Sequence, residues 1–506
     1  MLLVTLQSYN TQPSREFQHF DLPSRGASVG LSFRAIMLLY INILLLCFDL
    51  AICLAVGVKN GQHPGQPAKY RPLPSLREQA KVEQGWRDER IAKIPDLLRK
   101  YQADAWLMSQ REHAEDTIWW SIKNATAFDS HRRTVVLFHT KSLSTAKLPN
   151  PIVWVDNTGQ VWSDLRALFE EHNFSRVVVN TDQDIAFAGG LHVGEHDVLL
   201  SELGEKWASR FVNEPMLAVE YVATQLDGQL PYYRMLQETV WAMLEEGFSH
   251  KVVRPGITST EDLSWWFREK IQEQNLTTWN QPRISVLVEA SYPGWEGTED
   301  IIQEGDILHI DFGVTGLGLN TDTQHMAYVL RTDQESSEEE APDSLKEGLR
   351  KANRMQDIVF ANMAVGKTGN QVLRESLDQM KKEGIEGQIY CHPIGDWGHG
   401  AGAVIGRACS FFSGRGIDHL PGFLNLPEFV PIIGELLLLP HTYYSIELYA
   451  YHFVKERNET IRFRIEENAH WDDNSHSWLF VRGRQERFHL IDKRKAMSNS
   501  LTVQAP

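Results

Sequence analysis

The sequence predicts an α/β domain over residues 85–225, followed by a larger α+β domain over residues 230–492. Three observations lead there. The first stretch alternates short β-prone apolar runs with helical periods. The second opens on amphipathic helices and closes on long strand-like runs. A chain of 506 residues is also too long for one ordinary core.

Residues 1–57 form an N-terminal extension, and 37–57 (MLLYINILLLCFDLAICLAVG) is its strongly apolar run, with Arg34 before it and Lys59 after it. Ala55 and Gly57 suit a signal-peptidase site. Translation starting at Met37 would leave an ordinary signal peptide. Left uncleaved, a run of about 20 apolar residues can anchor a chain in a membrane. The expected location is therefore the secretory pathway, secreted or anchored through 37–57, with the cytoplasm as the alternative if the segment is not used. Four N-x-S/T sequons, at Asn124, Asn173, Asn275 and Asn458, agree with secretory entry. Residues 58–84 (including NGQHPGQPAKYRPLP) read as a Gly/Pro-rich linker, and 493–506 as a tail.

In the first domain a helix is expected over 86–102 and strands over 105–109, 133–139, 152–156 and 176–180. In the second, a helix over 232–253 ends at Pro255-Gly256. Ser259 and Asp262 then form a capping box for the next helix. Leu263, Trp266, Phe267 and Ile271 share one face of that helix, where core packing explains them. Strands follow over 284–289, 306–314 and 324–330, then an acidic loop from Asp333, helices over 345–363 and 372–382, and strands over 443–451 and 460–470.

A net charge of -16 argues against a nucleic-acid partner. Four cysteines are too few for a disulfide scaffold. Cys391 and Cys409, the two in the folded body, read as free thiols, although an oxidising compartment would leave pairing open.

The chemistry concentrates in the second domain. In DILHIDFGVTGLGLNTDTQHMAYVL, two strand-like runs flank a turn with Gly and Asn, which predicts a hairpin. Asp311 lies inside the first run and Asp322 opens the second. A carboxylate in a strand core is costly unless it is paired or metal-bound; a salt bridge or a turn cap is the alternative for each. CHPIGDWGHGAGAVIG reads as a glycine-rich loop with His392 and His399 seven apart. Glu447 (SIEL) and Glu466 (RIEEN) each sit in a strand-like run. Four clustered carboxylates would repel one another unless cations neutralise them. Such an oxygen-rich set with one imidazole suits Mn, Fe, Co or Zn. Two such ions can supply a nucleophilic hydroxide at neutral pH and polarise a carbonyl.

The order Asp311, Asp322 eleven residues on, His392, Glu447, Glu466 resembles the pita-bread metallopeptidases, which include methionine aminopeptidase, Xaa-Pro aminopeptidase, prolidase and the metal-free creatinase. The resemblance covers about 230–490, and the preceding domain resembles the N-terminal domain of creatinase and Xaa-Pro aminopeptidases. It implies a pita-bread catalytic domain with Asp311, Asp322, His392, Glu447 and Glu466 holding two divalent ions, Mn first and Co, Fe or Zn as alternatives. It also implies His399 as the substrate-contacting, proton-shuttling histidine and Glu447 as a metal-bridging general base. The implied activity is a metallo-exopeptidase of Xaa-Pro type acting near the N-terminus of a peptide, in a chain that can form a homodimer. The alternative is an inactive relative that binds peptides or proteins. A creatinase-like, metal-free hydrolase is disfavoured because all five ligand types are kept.

The departures surround the site. Asp322-Thr323-Gln324-His325 replaces Asp-x-Thr-Arg, Tyr292-Pro293-Gly294-Trp295 lacks the upstream His, and CHPIG has Pro where Gly is usual. The segment 408–440 is long and apolar. These differences put the substrate, rather than metal binding, in question.

Overall fold

A capping box between Ser75 and Glu78 starts helix α1 (Leu76–Lys100), well before residue 86. The computed structural model describes residues 67–127, 129–140, 148–287, 300–332, 339–406 and 429–495. Part of the expected linker is therefore helix, and what precedes it is tied down. The Ala68 N–H donates to Glu245 Oε2 at 3.0 Å and the Arg71 N–H to Thr239 Oγ1 at 2.9 Å.

Strands β1 (Ala105–Arg111), β2 (Arg133–His139), β3 (Ile152–Asp156), β4 (Val177–Val178) and β5 (Phe211–Val212) form a sheet in the order β3-β2-β1-β4-β5. The β1–β2 and β2–β3 pairs are antiparallel; β1–β4 and β4–β5 are parallel. The run expected as a strand over 176–180 pairs only at Val177–Val178. Helices α2 (Gln160–His172), α3 (Val193–Leu203) and α4 (Pro215–Ala223) lie around the sheet. Strand side chains alternate faces, and both faces of β1 are buried. Trp106 and Met108 join Ile94, Leu98 and Leu217 from α1 and α4 in one core. Ala105 and Leu107 join Leu165 and Phe169 from α2 in another.

The second half opens with helix α5 (Leu230–Gly247) and helix α6 (Thr260–Glu273). The Ser259–Asp262 capping box is present, with the Asp262 N–H donating to Ser259 Oγ at 3.0 Å. Leu263, Phe267 and Ile271 are buried as expected, and Trp266 packs at the edge of the same core. Strands β6 (Thr277–Val286), β7 (Ile307–Gly316), β8 (Leu319–Asn320) and β9 (Thr323–Val329) follow. Next come helices α7 (Asp343–Asn362) and α8 (Gly369–Lys382), and strands β10 (Gly387–Ile394), β11 (Ile405–Gly406), β12 (Tyr443–Val454) and β13 (Glu459–Asp472). The hairpin turn between β7 and β8 is Leu317-Gly318, with φ of 54° and 69°. Two consecutive positive φ values are what a tight two-residue hairpin requires.

These strands build one curved path, β11-β10-β12-β13-β9-β7-β6. One face packs on α5 and α6 through Leu308, Ile310 and Phe312. The other packs on α7 and α8 through Ile307, Met326, Ile446 and Phe463. On β7 the face that carries Ile307 also carries His309 and Asp311, two and four residues on, so there the apolar core gives way to polar groups.

A further expectation needs correcting. CHPIG is not a loop: Cys391–Ile394 end strand β10, paired with β12, and the glycine-rich loop begins only at Gly395. Pairing with strand β12 keeps this run in the sheet despite the glycines that follow it. Cys391 is a buried free thiol. No helix among the described residues is long and apolar enough to cross a membrane. The expectations for 37–57, Cys409, Tyr292–Trp295 and most of 408–440 lie outside the described residues.

Candidate metal centre

Strand register brings the site together. Arg283, Asp311, Gln324, Glu466 and Glu447 stand side by side across β6, β7, β9, β13 and β12. Directly opposed residues on neighbouring strands have Cβ atoms about 4.5–5.5 Å apart, so one row collects three carboxylates. Asp322, just ahead of β9, and His392, opposite Ser445 on β10, complete the cluster. Ligand atoms lie within 4.8 Å of one another in three overlapping groups: Asp311, Asp322 and Glu466; His392, Glu447 and Glu466; Asp322, His392 and His399. All five expected ligands and His399 therefore meet in one place.

Three members of the cluster are deeply buried, and two of their atoms lack partners. Asp322, His392 and Glu466 are 3%, 1% and 1% exposed. Asp322 Oδ1 and His392 Nε2 have no hydrogen-bond partner. The His392 Nδ1–H donates to the Pro393 carbonyl at 3.1 Å, which leaves the Nε2 lone pair facing inward. Nε2 lies 3.4 Å from Glu466 Oε1, 3.7 Å from Asp322 Oδ2 and 3.9 Å from Glu447 Oε2. Burial, and then Glu466, Asp311 and Glu447, push the Asp322 carboxyl well above its usual range. Glu447 is raised well above its range by burial and by Glu466 and Asp311. Glu466 is raised by burial, against hydrogen bonds from Ser445 and Gln324. Burial lowers His392 to about 4, against its bond to Pro393. A set of crowded carboxylates with one inward lone pair and one orphaned oxygen fits bound divalent cations, which would relieve each of these costs.

The loop after β10 carries His399. The Gly400 N–H returns to the Pro393 carbonyl at 2.7 Å and folds the loop back on the strand. The His392 and His399 rings then stand 4.4 Å apart, edge to face. Gly398, at φ 33°, lets the Trp279 indole in, since a Cβ there would lie 2.3 Å from its ring. Trp279 packs on His399 at 5.2 Å and donates to the Thr321 carbonyl at 2.7 Å. His399 has an exposed edge, but surrounding protein and His392 hold its imidazole at about 4, with Glu466 opposing. Beside Asp311 a cavity of about 520 Å³ is lined by Asn280, Arg283, His309 and Arg464. Asn280 Nδ2 donates to Asp311 Oδ1 at 3.0 Å.

The first domain reaches this loop. Arg90 on α1 pairs with Asp396, whose Oδ1 also accepts from Gln229 Nε2 at 3.3 Å. Trp397 packs edge-on against Phe187 at 5.7 Å. Arg90 is 5% exposed, and removing one partner of a buried ion pair costs about 3–5 kcal/mol. Arg90→Ala is therefore expected to destabilise the chain by about 3 kcal/mol and to loosen His399. Chemical denaturation of the variant measures the loss; a change below about 0.5 kcal/mol would deny the clamp.

Several functional neighbours were not singled out from the sequence. Ser445 precedes Glu447 by two, Asn468 follows Glu466 by two, and His309 precedes Asp311 by two. In a strand, i and i+2 share a face, so each was recoverable once its strand was recognised. The Ser445 hydroxyl donates to Glu466 Oε1. Asn468 brackets Asp322, accepting from its N–H at 3.1 Å and donating to its carbonyl at 2.7 Å. Arg90 and Asp396 are 306 positions apart, and no local signal joins them.

Comparison with known proteins assigns this half of the chain. Residues 233–468 match metallopeptidase family M24 and belong to that pita-bread family. The structure is similar to an X-Pro aminopeptidase from Thermotoga maritima, 12% identical, TM-score 0.53, covering 78% of this chain and 99% of that one. It is also similar to an Xaa-Pro dipeptidase from Bacillus anthracis, 15% identical, TM-score 0.53, covering 80% and 99%. At these identities the likeness is one of fold. No curated protein matches the chain significantly.

Proposed function

We propose that the chain is a dinuclear-metal exopeptidase of Xaa-Pro type, in which Asp311, Asp322, His392, Glu447 and Glu466 hold two divalent ions, Mn first. The observation that carries this reading is the pair of buried, unpartnered atoms, Asp322 Oδ1 and His392 Nε2, aimed into a nest of carboxylates. Divalent ions bound there would supply an activated water at neutral pH and polarise the scissile carbonyl.

The chain's own groups divide the remaining work. Glu447, with 27% of its side chain exposed, takes the proton of the attacking water and delivers it to the leaving amine nitrogen. His399, neutral at pH 7, donates a ring N–H to the oxygen that becomes negative in the tetrahedral intermediate. The cavity beside Asp311 has room for a short peptide. The N-terminal α/β domain, in this reading, is of the creatinase type and braces the His399 loop.

The test is hydrolysis of an Xaa-Pro dipeptide and an Xaa-Pro-Xaa tripeptide by the full-length chain with added Mn. Metal-dependent release of the N-terminal residue is expected. A folded, metal-loaded chain that turns over neither peptide would overturn the Xaa-Pro assignment and favour a peptide-binding role.

A further inference from the structure

Gln324 occupies the row position between Asp311 and Glu466. Its Nε2 lies 2.8 Å from Glu447 Oε1 and 2.8 Å from Glu466 Oε2. A carboxamide nitrogen carries two hydrogens, so one is available for each carboxylate. Its Oε1 lies 2.9 Å from His309 Nε2. A carboxamide oxygen only accepts, so the His309 Nε2–H donates. Turning the amide over would set its oxygen against two carboxylates and its NH2 against the imidazole. The orientation is thus held from both ends.

The choice of oxygens matters. Gln324 engages Oε1 of Glu447 and Oε2 of Glu466, while the opposite oxygens, Glu447 Oε2 and Glu466 Oε1, face His392 Nε2. One neutral amide therefore ties back one oxygen of each glutamate and turns the other toward the imidazole. His309 and Gln324 are 2% and 4% exposed, so water does not compete for these bonds. Hydrogen bonds to charged groups are roughly twice as strong as neutral ones, which favours holding the two like-charged side chains on adjacent strands in one arrangement.

We propose that Gln324, oriented by His309, is a positioning residue that presents Glu447 and Glu466 to the metal and so sets the metal affinity of the centre. This rests on the reading that the cluster binds divalent cations. It gives Gln324, which departs from the usual Asp-x-Thr-Arg pattern, a role of its own.

The experiment is a Mn²⁺ titration of the full-length chain against a competing chelator, for wild type, Gln324→Leu and His309→Phe, with thermal unfolding of each metal-free protein alongside. Leucine keeps the bulk of the side chain and removes both donors. Outer-shell substitutions weaken metal binding by about 10–100-fold, and that loss is expected for Gln324→Leu. His309→Phe removes the donor on the amide oxygen while the two carboxylates still hold the NH2, and a smaller loss is expected. A purely structural role would lower the unfolding temperature and leave the affinity of the folded protein unchanged; that result overturns the proposal. If Gln324→Leu does not fold, His309→Phe decides: weakened binding supports the proposal and wild-type binding overturns it. A wild-type chain that binds no Mn²⁺ overturns the metal reading and this proposal together, whereas tight binding by all three proteins overturns this proposal alone.

Discussion

Asp322→Asn is expected to lower kcat/KM by about 10³-fold or more, since losing several kcal/mol of metal-dependent stabilisation corresponds to that factor. The same substitution is expected to raise the unfolding temperature of the metal-free chain. The sign follows from the folded-state shift. Burial and three neighbouring carboxylates hold the Asp322 carboxyl above its ordinary value. An acid with a raised folded-state pKa costs stability at any pH above its unfolded value. Asparagine carries no such cost, so the metal-free protein gains while the enzyme loses. Kinetics with added Mn and thermal scans in chelator measure the two halves. A metal-free unfolding temperature that falls would mean that Asp322 serves the fold rather than the centre.

His399→Ala is expected to reduce kcat by about 10²–10⁴-fold, the range for a removed general acid–base or hydrogen-bonding group. Metal binding is expected to change little, because the loop residue lies outside the five ligands proposed above. Its ring stands 4.4 Å from that of His392 and 5.2 Å from that of Trp279. Removing it should leave the strand and its ligand in place. Steady-state kinetics with a parallel metal titration separate the two effects. Loss of metal in proportion to activity would make His399 a ligand instead of a substrate contact.

The positions of Asp311, Glu447 and Glu466 were legible in the sequence because each interrupts an apolar, β-prone run, where an unpaired charge is expensive. Asp311 in HIDFG and Glu466 in FRIEEN are clear cases, and the register then places both beside Gln324. His392 was read on a loop because glycines follow it at 395, 398 and 400, and pairing of His392 and Pro393 with Ser445 and Tyr444 overrides that signal. The start of α1 was missed because Gly, Pro and Gln dominate the preceding residues, while the deciding contact is the Ser75–Glu78 capping box. The Arg90–Asp396 bridge was beyond reach, because it depends on how helix α1 packs against a loop of the other half.

The central claim is that the buried cluster is a two-metal centre. Its most direct test is the metal content of the full-length chain after Mn loading and removal of unbound ion, measured for wild type and for the Asp322→Asn, His392→Ala double variant. About two ions per chain in the wild type, as a two-metal site holds, and loss of at least one in the variant is the predicted result. No bound ion in a folded wild-type chain, or equal binding by the variant, would contradict it.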